Sequence, residues 1–393
     1  MMERAGIRYA RVDLQWSDVE RDGPLLQDWS DFDAVVNAAR RYHVTLLPMV
    51  AYTPGWANGG RGSFTPPNRA SDFQRFLTTA FRRYRGIPAW EVWNEPNLAR
   101  FARPWPNPGK FVELLRAAYR ARTAAGSHTK LISGGLAVDG EIPVPRFVDA
   151  IARLGGLKYI DGLGIHPYST APPDDPHSYF LTLPALHGQL ADLGKPRIEI
   201  WATEYGWAAD NDDRRAEWDQ SRRLATAYAI AVGWPWLRNL TWYGMRDDCM
   251  DAYRADCRYG LVDQDFQPKP AYWVLRDLIA GRVPKIRSLL WLQAGHVSRG
   301  RHRRYFLTGS AFTPGTRLSG SWITLRLRRY GRHRVRRRTT YTRLRDGSYR
   351  LSLGRLRPGR WRVRAAFPGT TRYLRATSEV VRFRVPRRRH HRR

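Results

Sequence analysis

The sequence predicts a (β/α)8 barrel followed by a small β-sandwich, and three observations carry that expectation. Short apolar runs alternate with longer amphipathic stretches through the first 285 residues, the pattern of repeated βα units. Past Pro284 the texture changes to short alternating runs broken by Asp-Gly and Pro-Gly turns. The charge divides at the same place. Residues 286–393 hold 31 Arg, no Lys and two acids, Asp346 and Glu379, a net of +29 out of the chain's +32, which leaves residues 1–285 at +3.

In chain order, strands are expected at 7–14, 44–51, 89–94, 131–136, 162–165, 198–203 and 240–243, each a run of apolar or β-branched residues four to eight long. Helices are expected at 30–41, 70–83, 108–124, 145–154, 183–193 and 214–232, where apolar residues recur at three- and four-residue spacing. Seven strands over about 280 residues leave a (β/α)8 barrel one short. The chain enters directly on a strand, so the expectation is a barrel lacking its first strand, with any secretion signal lost alongside it. The basic part is expected to place strands at 322–327, 349–353, 361–366 and 380–385, with Asp346-Gly347, Pro358-Gly359 and Pro368-Gly369 as turns. The expected division is a barrel at 1–284, a linker at 285–304, an Arg-rich sandwich at 305–386 and a basic tail at 387–393.

Composition excludes several classes. Hydrophobic content of 42% and aromatic content of 12% are too high for a disordered chain. No apolar run reaches the ~20 residues of a membrane helix, so no transmembrane segment is expected. Two cysteines rule out a disulfide-rich scaffold and a four-Cys zinc site. No His/Cys cluster has metal spacing and no Gly-rich loop reads as a phosphate cradle, so neither a metal nor a cofactor is implied.

In a barrel, residues at the C-terminal ends of the strands converge on one pocket. Those ends carry Arg11 and Asp13; Tyr52 and Trp56; Asn94-Glu95-Pro96; His166-Pro167-Tyr168; Glu204-Tyr205-Gly206-Trp207; and Trp242-Tyr243. Two carboxylates, Glu95 and Glu204, stand among aromatics. Paired carboxylates suit glycoside hydrolysis, where one protonates the leaving oxygen and the other stabilises or attacks the oxocarbenium-like centre. Sugars also present C–H faces to Trp and Tyr, and hydroxyls to Asn, His, Arg and Tyr. Glu91 and Glu199, early on the same two strands, read as ion-paired residues of the barrel floor. Arg11 reads either as a site residue or as a partner of Asp13.

The run Trp90-Glu91-Val92-Trp93-Asn94-Glu95-Pro96 resembles the Asn-Glu-Pro motif of clan A glycoside hydrolases, and Thr203-Glu204-Tyr205-Gly206-Trp207 resembles their nucleophile strand. The likeness is to cellulase-like family 5 and xylosidase-like family 39 members and covers roughly residues 1–280. It implies that Glu95 is the acid/base, Glu204 the nucleophile and the outcome retention. It further implies that Arg11, Trp56, Asn94, His166, Tyr168, Trp207 and Trp242 contact a carbohydrate substrate, with Asn94 on the 2-hydroxyl. The rival expectation is an impaired barrel that binds polysaccharide or polyanion at the cell surface.

Cys249 and Cys257, eight residues apart, are expected to pair and fix the pocket rim in an oxidising compartment, which with the resemblance implies an extracellular or cell-surface location. The basic module resembles bacterial immunoglobulin-like repeats. Its charge fits an anionic cell-envelope polymer or polysaccharide, and the alternative is a spacer whose Arg count reflects codon bias. It carries no nucleic-acid recognition motif, so no specific nucleic acid is expected.

Overall fold

The computed structural model describes residues 1–393 apart from 210–213, 249–256, 283–284, 286–287, 300–301, 314–315, 319, 331–334, 346, 371–372 and 387–393. The chain divides into two units, Met1–Val283 and Pro284–Arg393. The expected basic tail lies outside the described residues.

The first unit is built on a parallel sheet. Its strands are β1 (Tyr9–Gln15), β2 (Thr45–Ala51), β3 (Ala89–Val92), β4 (Lys130–Ser133), β5 (Leu136–Ala137), β6 (Gly162–His166), β7 (Glu199–Tyr205) and β8 (Leu237–Trp242). They pair in the order β1-β2-β3-β4-β6-β7-β8, with β5 on β6. β4 and β5 together fill the expected strand at 131–136, interrupted at Gly134-Gly135. A Cβ on Gly134 would lie 2.6 Å from the Trp93 carbonyl oxygen, and one on Gly135 would lie 2.0 Å from His166 Nε2. Only glycine lets the strands approach this closely.

Around the sheet run the single-turn α1 (Trp16–Val19), α2 (Ser30–Arg41), the single-turn α3 (Gly55–Asn58), α4 (Ala70–Arg83), α5 (Pro108–Ala124), α6 (Val144–Arg153), α7 (Leu183–Asp192), α8 (Arg214–Ala231) and α9 (Pro270–Ile279). The periodicity that predicts them is the periodicity they bury. Phe73, Phe76, Leu77, Ala80 and Phe81 form the inner stripe of α4, and Val144, Phe147, Val148 and Ile151 that of α6. α5 starts where the Asn107 side chain accepts from the amides of Gly109 and Lys110 at 2.9 and 3.1 Å, with proline at its first position. α9 goes beyond the expected set. Its tyrosine, Tyr272, donates to the Met1 carbonyl at 3.0 Å, and Ile279 packs where Gly6 has no side chain.

Central strands are buried along their length, as in β3 and β6. β1 and β8, the two ends of the sheet, are only partly so. Among the described residues these two strands do not pair with each other. The sheet is therefore curled and open along one seam, in line with the strand count. No described helix is long and apolar enough to cross a membrane.

The second unit is a two-sheet antiparallel sandwich. β9 (Leu289–Arg299), β10 (His302–Thr313), β11 (Thr316–Arg317) and β14 (Ser348–Gly354) form one sheet. β12 (Trp322–Tyr330), β13 (Val335–Arg343), β15 (Gly359–Phe367), β16 (Ala376–Thr377) and β17 (Val381–Val385) form the other. Leu307, Ile323, Leu325, Leu327, Val363, Ala365 and Phe367 form its core. The expected linker at 285–304 is corrected here. Residues 289–299 are a strand, paired with β10 from Leu289↔Phe312 to Arg299↔His302. Leu290, Leu292 and Ala294 alternate onto the core, a period-2 signal masked by the apolar pair Leu289 and Trp291 on the outer side.

Candidate active site

β3 supplies the foundation. Glu91 is fully buried and accepts from the Gly135 amide at 2.8 Å and the Thr203 hydroxyl at 2.9 Å. Past β3 the backbone takes two left-handed steps, φ +74° at Trp93 and +40° at Glu95. Such conformations are uncommon in residues other than glycine and cluster at functional sites. Between them Asn94 turns its side-chain oxygen toward Arg11.

Arg11 is the hub. Its Nε donates to Glu91 at 2.5 Å, one terminal nitrogen to Glu204 Oε1 at 2.7 Å and the other to Asn94 Oδ1 at 2.9 Å. Burial works against its charge, but Glu91 and Glu204 more than offset that, so its pKa is raised and it stays cationic. The expected alternative pairing with Asp13 gives way to this three-way contact. Glu91 is thus ion-paired, but directly beneath the pair of carboxylates rather than on a separate floor. Glu199 is paired with Lys130 at 2.8 Å.

Glu204 has three neighbours that favour its ionised form. Burial alone would raise its pKa. His166, Arg11 and the Tyr168 hydroxyl, which donates to Oε2 at 3.0 Å, together bring it below the usual carboxylate value. Tyr168 itself is pushed well above the ordinary phenol range, by burial first and by Glu204 next, so it remains a donor. His166 Nδ1 lies 2.9 Å from Glu95 Oε1 and 3.7 Å from Glu204 Oε2, while Nε2 lies 3.1 Å from the Thr203 hydroxyl. Burial lowers the imidazole's pKa, but Glu204 and Glu95 outweigh that and the net shift is upward. One imidazole therefore touches one carboxylate and faces the other.

Above them opens a cavity of about 490 Å³, lined in part by Arg11, Asn94, Glu95, Tyr168 and Glu204. Asp13, Tyr52, Arg100, Phe101, Tyr243, Asp248, Cys257 and Tyr259 complete much of its wall. Tyr168, Tyr243 and Tyr259 meet edge to face, with centroids 5.6 to 6.3 Å apart. Cys257 is disulfide-bonded, whereas Cys249 lies outside the described residues.

Four expected substrate contacts sit elsewhere. Trp56 donates to the Glu20 carbonyl at 2.8 Å and packs edge-on against Trp16, behind the loop after β2. Trp207 lies under the Arg223 guanidinium, 3.4 Å from its ring centre. Trp242 is buried and donates to the Tyr259 carbonyl at 2.8 Å, so it props the wall rather than forming it. His166 is buried behind the two carboxylates and does not line the cavity. Each position was legible from its place at a strand end. Which way the ring points depends on loops that carry no periodic signal. The same holds for Arg100, Phe101, Asp248 and Tyr259, which no motif marks.

The curled parallel sheet, its surrounding helices and the cavity at its strand ends define the class, an α/β barrel-type fold. Comparison with solved structures agrees on the fold. A family 39 glycoside hydrolase from the gut symbiont Bacteroides cellulosilyticus is 20% identical, with a TM-score of 0.59 over 89% of this chain and 76% of that one. GH5_18 from Streptomyces cattleya, in a variant complexed with Manb1-4GlcNAc, is 17% identical, with a TM-score of 0.56 over 72% and 75%. Xylanase 10B from Thermotoga maritima is 15% identical, with a TM-score of 0.51 over 72% and 97%. No family model and no curated protein sequence matches the chain.

Proposed function

We propose that the chain is a retaining O-glycoside hydrolase acting on β-linked oligo- or polysaccharide. Glu204 is the nucleophile and Glu95 the acid/base. The observation that carries the assignment is the asymmetry around His166. Glu204 alone holds both a guanidinium and a phenol hydroxyl, which suits the partner that must be ionised at rest. Their common nitrogen neighbour, at 2.9 and 3.7 Å, favours the ~5–5.5 Å carboxyl spacing of double displacement over the ~6.5–9.5 Å of inversion.

In the first step Glu95 gives its proton to the glycosidic oxygen as the C–O bond breaks and Glu204 bonds the anomeric carbon. In the second, Glu95 takes a proton from water, whose oxygen displaces Glu204. Arg11 and Tyr168 lose the Glu204 anion in the covalent intermediate and regain it on release, while Arg11 stays paired with Glu91 throughout. Asn94, whose side-chain oxygen accepts from Arg11 at 2.9 Å, is the partner assigned to the sugar 2-hydroxyl in this reading.

Kinetics on aryl glycosides and polysaccharides test the assignment. Glu204→Ala is expected to lose at least about a thousandfold in kcat, with added azide restoring turnover of activated substrates. Activity of Glu204→Ala without azide, or an inverted hydrolysis product from the wild type by NMR, overturns it. A second reading, polysaccharide binding without turnover, draws on the half-exposed β1 that carries Arg11, and a wild type inert on the whole panel would favour it. The bonded Cys257 supports an extracellular or cell-surface location, and the basic unit supports attachment to an anionic envelope polymer. Confinement of the expressed full-length protein to the cytoplasm would count against both.

A further inference from the structure

One sheet of the basic unit lines arginines up across its strands. In register across four neighbouring strands, Arg337 of β13 faces Arg328 of β12, which faces Arg362 of β15, which faces Arg382 of β17. Beside this row Arg326 faces Arg364, and Arg360 faces Arg384. All eight share the outer face, because their strand neighbours Leu325, Leu327, Val363 and Ala365 point into the core. Neither acid of residues 286–393 lies on these strands. Like charges directly opposite each other are destabilising, and strands about 4.8 Å apart hold these side chains together. The same face continues to Trp322 and Tyr341, 57% and 60% exposed, whose rings offer flat apolar platforms next to the cations.

We infer that this outer face is a docking surface for an acidic polysaccharide, with the arginine rows taking the carboxylates of uronate residues and Trp322 and Tyr341 taking sugar rings. The forked guanidinium matches a planar carboxylate in two parallel hydrogen bonds, which an ammonium cannot do, and the region holds no lysine. A glycan is the occupant because the inference rests on the glycosidase reading of the barrel in the same chain. A polymer held by one unit is presented to the other at the effective concentration that their covalent linkage sets.

The test uses full-length protein carrying Glu204→Ala, so that binding is read without hydrolysis and independently of whether the barrel is catalytic. Affinity for polygalacturonate, for neutral dextran and for a 20-mer DNA duplex is measured at several salt concentrations. The expected result is salt-dependent binding to polygalacturonate and none to dextran. R328Q/R337Q/R362Q/R382Q should weaken it roughly tenfold more than R303Q/R304Q/R355Q/R357Q, which removes equal charge away from this face. Relief of like-charge contacts should leave the first variant melting no lower than the second, so a folding defect is visible if present. Equal loss in both variants would reduce the face to bulk charge and overturn the inference, as would tighter binding to the DNA duplex.

Discussion

Removal of the Arg11 guanidinium separates the energetic and chemical roles of the buried centre. Arg11→Met deletes contacts to Glu91, Glu204 and Asn94 at 2.5, 2.7 and 2.9 Å. Glu91 is fully buried, so its carboxylate loses its hydrogen-bonded guanidinium with no access to water, leaving only the His166 imidazole at 4.0 Å. Breaking such a pair from one side costs about 3–5 kcal/mol. For a unit of this size that is a fall in Tm of roughly 6–10 °C. Adding Glu91→Gln removes the stranded charge while keeping an acceptor for Gly135 and Thr203, and should recover most of the loss. Activity should not recover, because Glu204 lacks its guanidinium in both variants, and kcat should stay about a hundredfold down. Thermal unfolding and aryl glycoside kinetics on the two variants read the pair of outcomes. A single variant melting within about 2 °C of wild type, or a double variant melting no higher than the single, would refute the charge argument.

Other expectations follow from the same geometry. His166→Gln removes the largest charge effect that lowers the Glu204 pKa, so the acid limb of kcat/KM should move to higher pH, and Tyr168→Phe should move it the same way by less. The lowered Glu204 pKa stabilises the fold above its unfolded value, and that is lost as pH falls through the folded one. The raised His166 pKa stabilises below its unfolded value, and that is lost as pH rises through the folded one. Tm should therefore peak between about pH 4.5 and 6.5, and His166→Gln should flatten the alkaline decline; a peak that stays put and an unchanged alkaline slope would contradict this. Gly135→Ala should cost at least about 1–3 kcal/mol and most activity, because its Cβ would sit 2.0 Å from His166 Nε2. Thiol titration of the unreduced, denatured protein should find no free cysteine.

The fold was largely legible because burial and periodicity coincide. The expected bounds of α2, α4 and α5 are those observed, since each is a stripe of core residues with polar flanks. β9 was missed where apolar residues fall on both faces of one strand. In the site, Arg11, Glu95 and Glu204 were legible from the chemistry each strand end carries. Glu91 was legible only in part: its burial on β3 followed from the strand, but its place beneath Glu95 and Glu204 depends on which strands lie opposite. Trp56, Trp207 and Trp242 show the opposite failure, since a strand-end tryptophan says nothing about whether its ring faces the cavity or the wall behind it.

The open seam between β1 and β8 has a mechanical meaning. A closed barrel fixes its own radius, because strand number and shear leave no other solution. A curled sheet with two free ends obeys no such condition, and its curvature behaves more like that of a leaf spring. What spans the interior here is a set of spokes: Arg11 on β1 tied to Glu91 on β3 and Glu204 on β7, Thr203 tied back to Glu91, and His166 on β6 reaching Glu95. The gap between the two carboxylates is thus set by a hub of charges instead of a hoop of peptide hydrogen bonds. The atoms that hold the tension are the atoms that the proposed reaction uses.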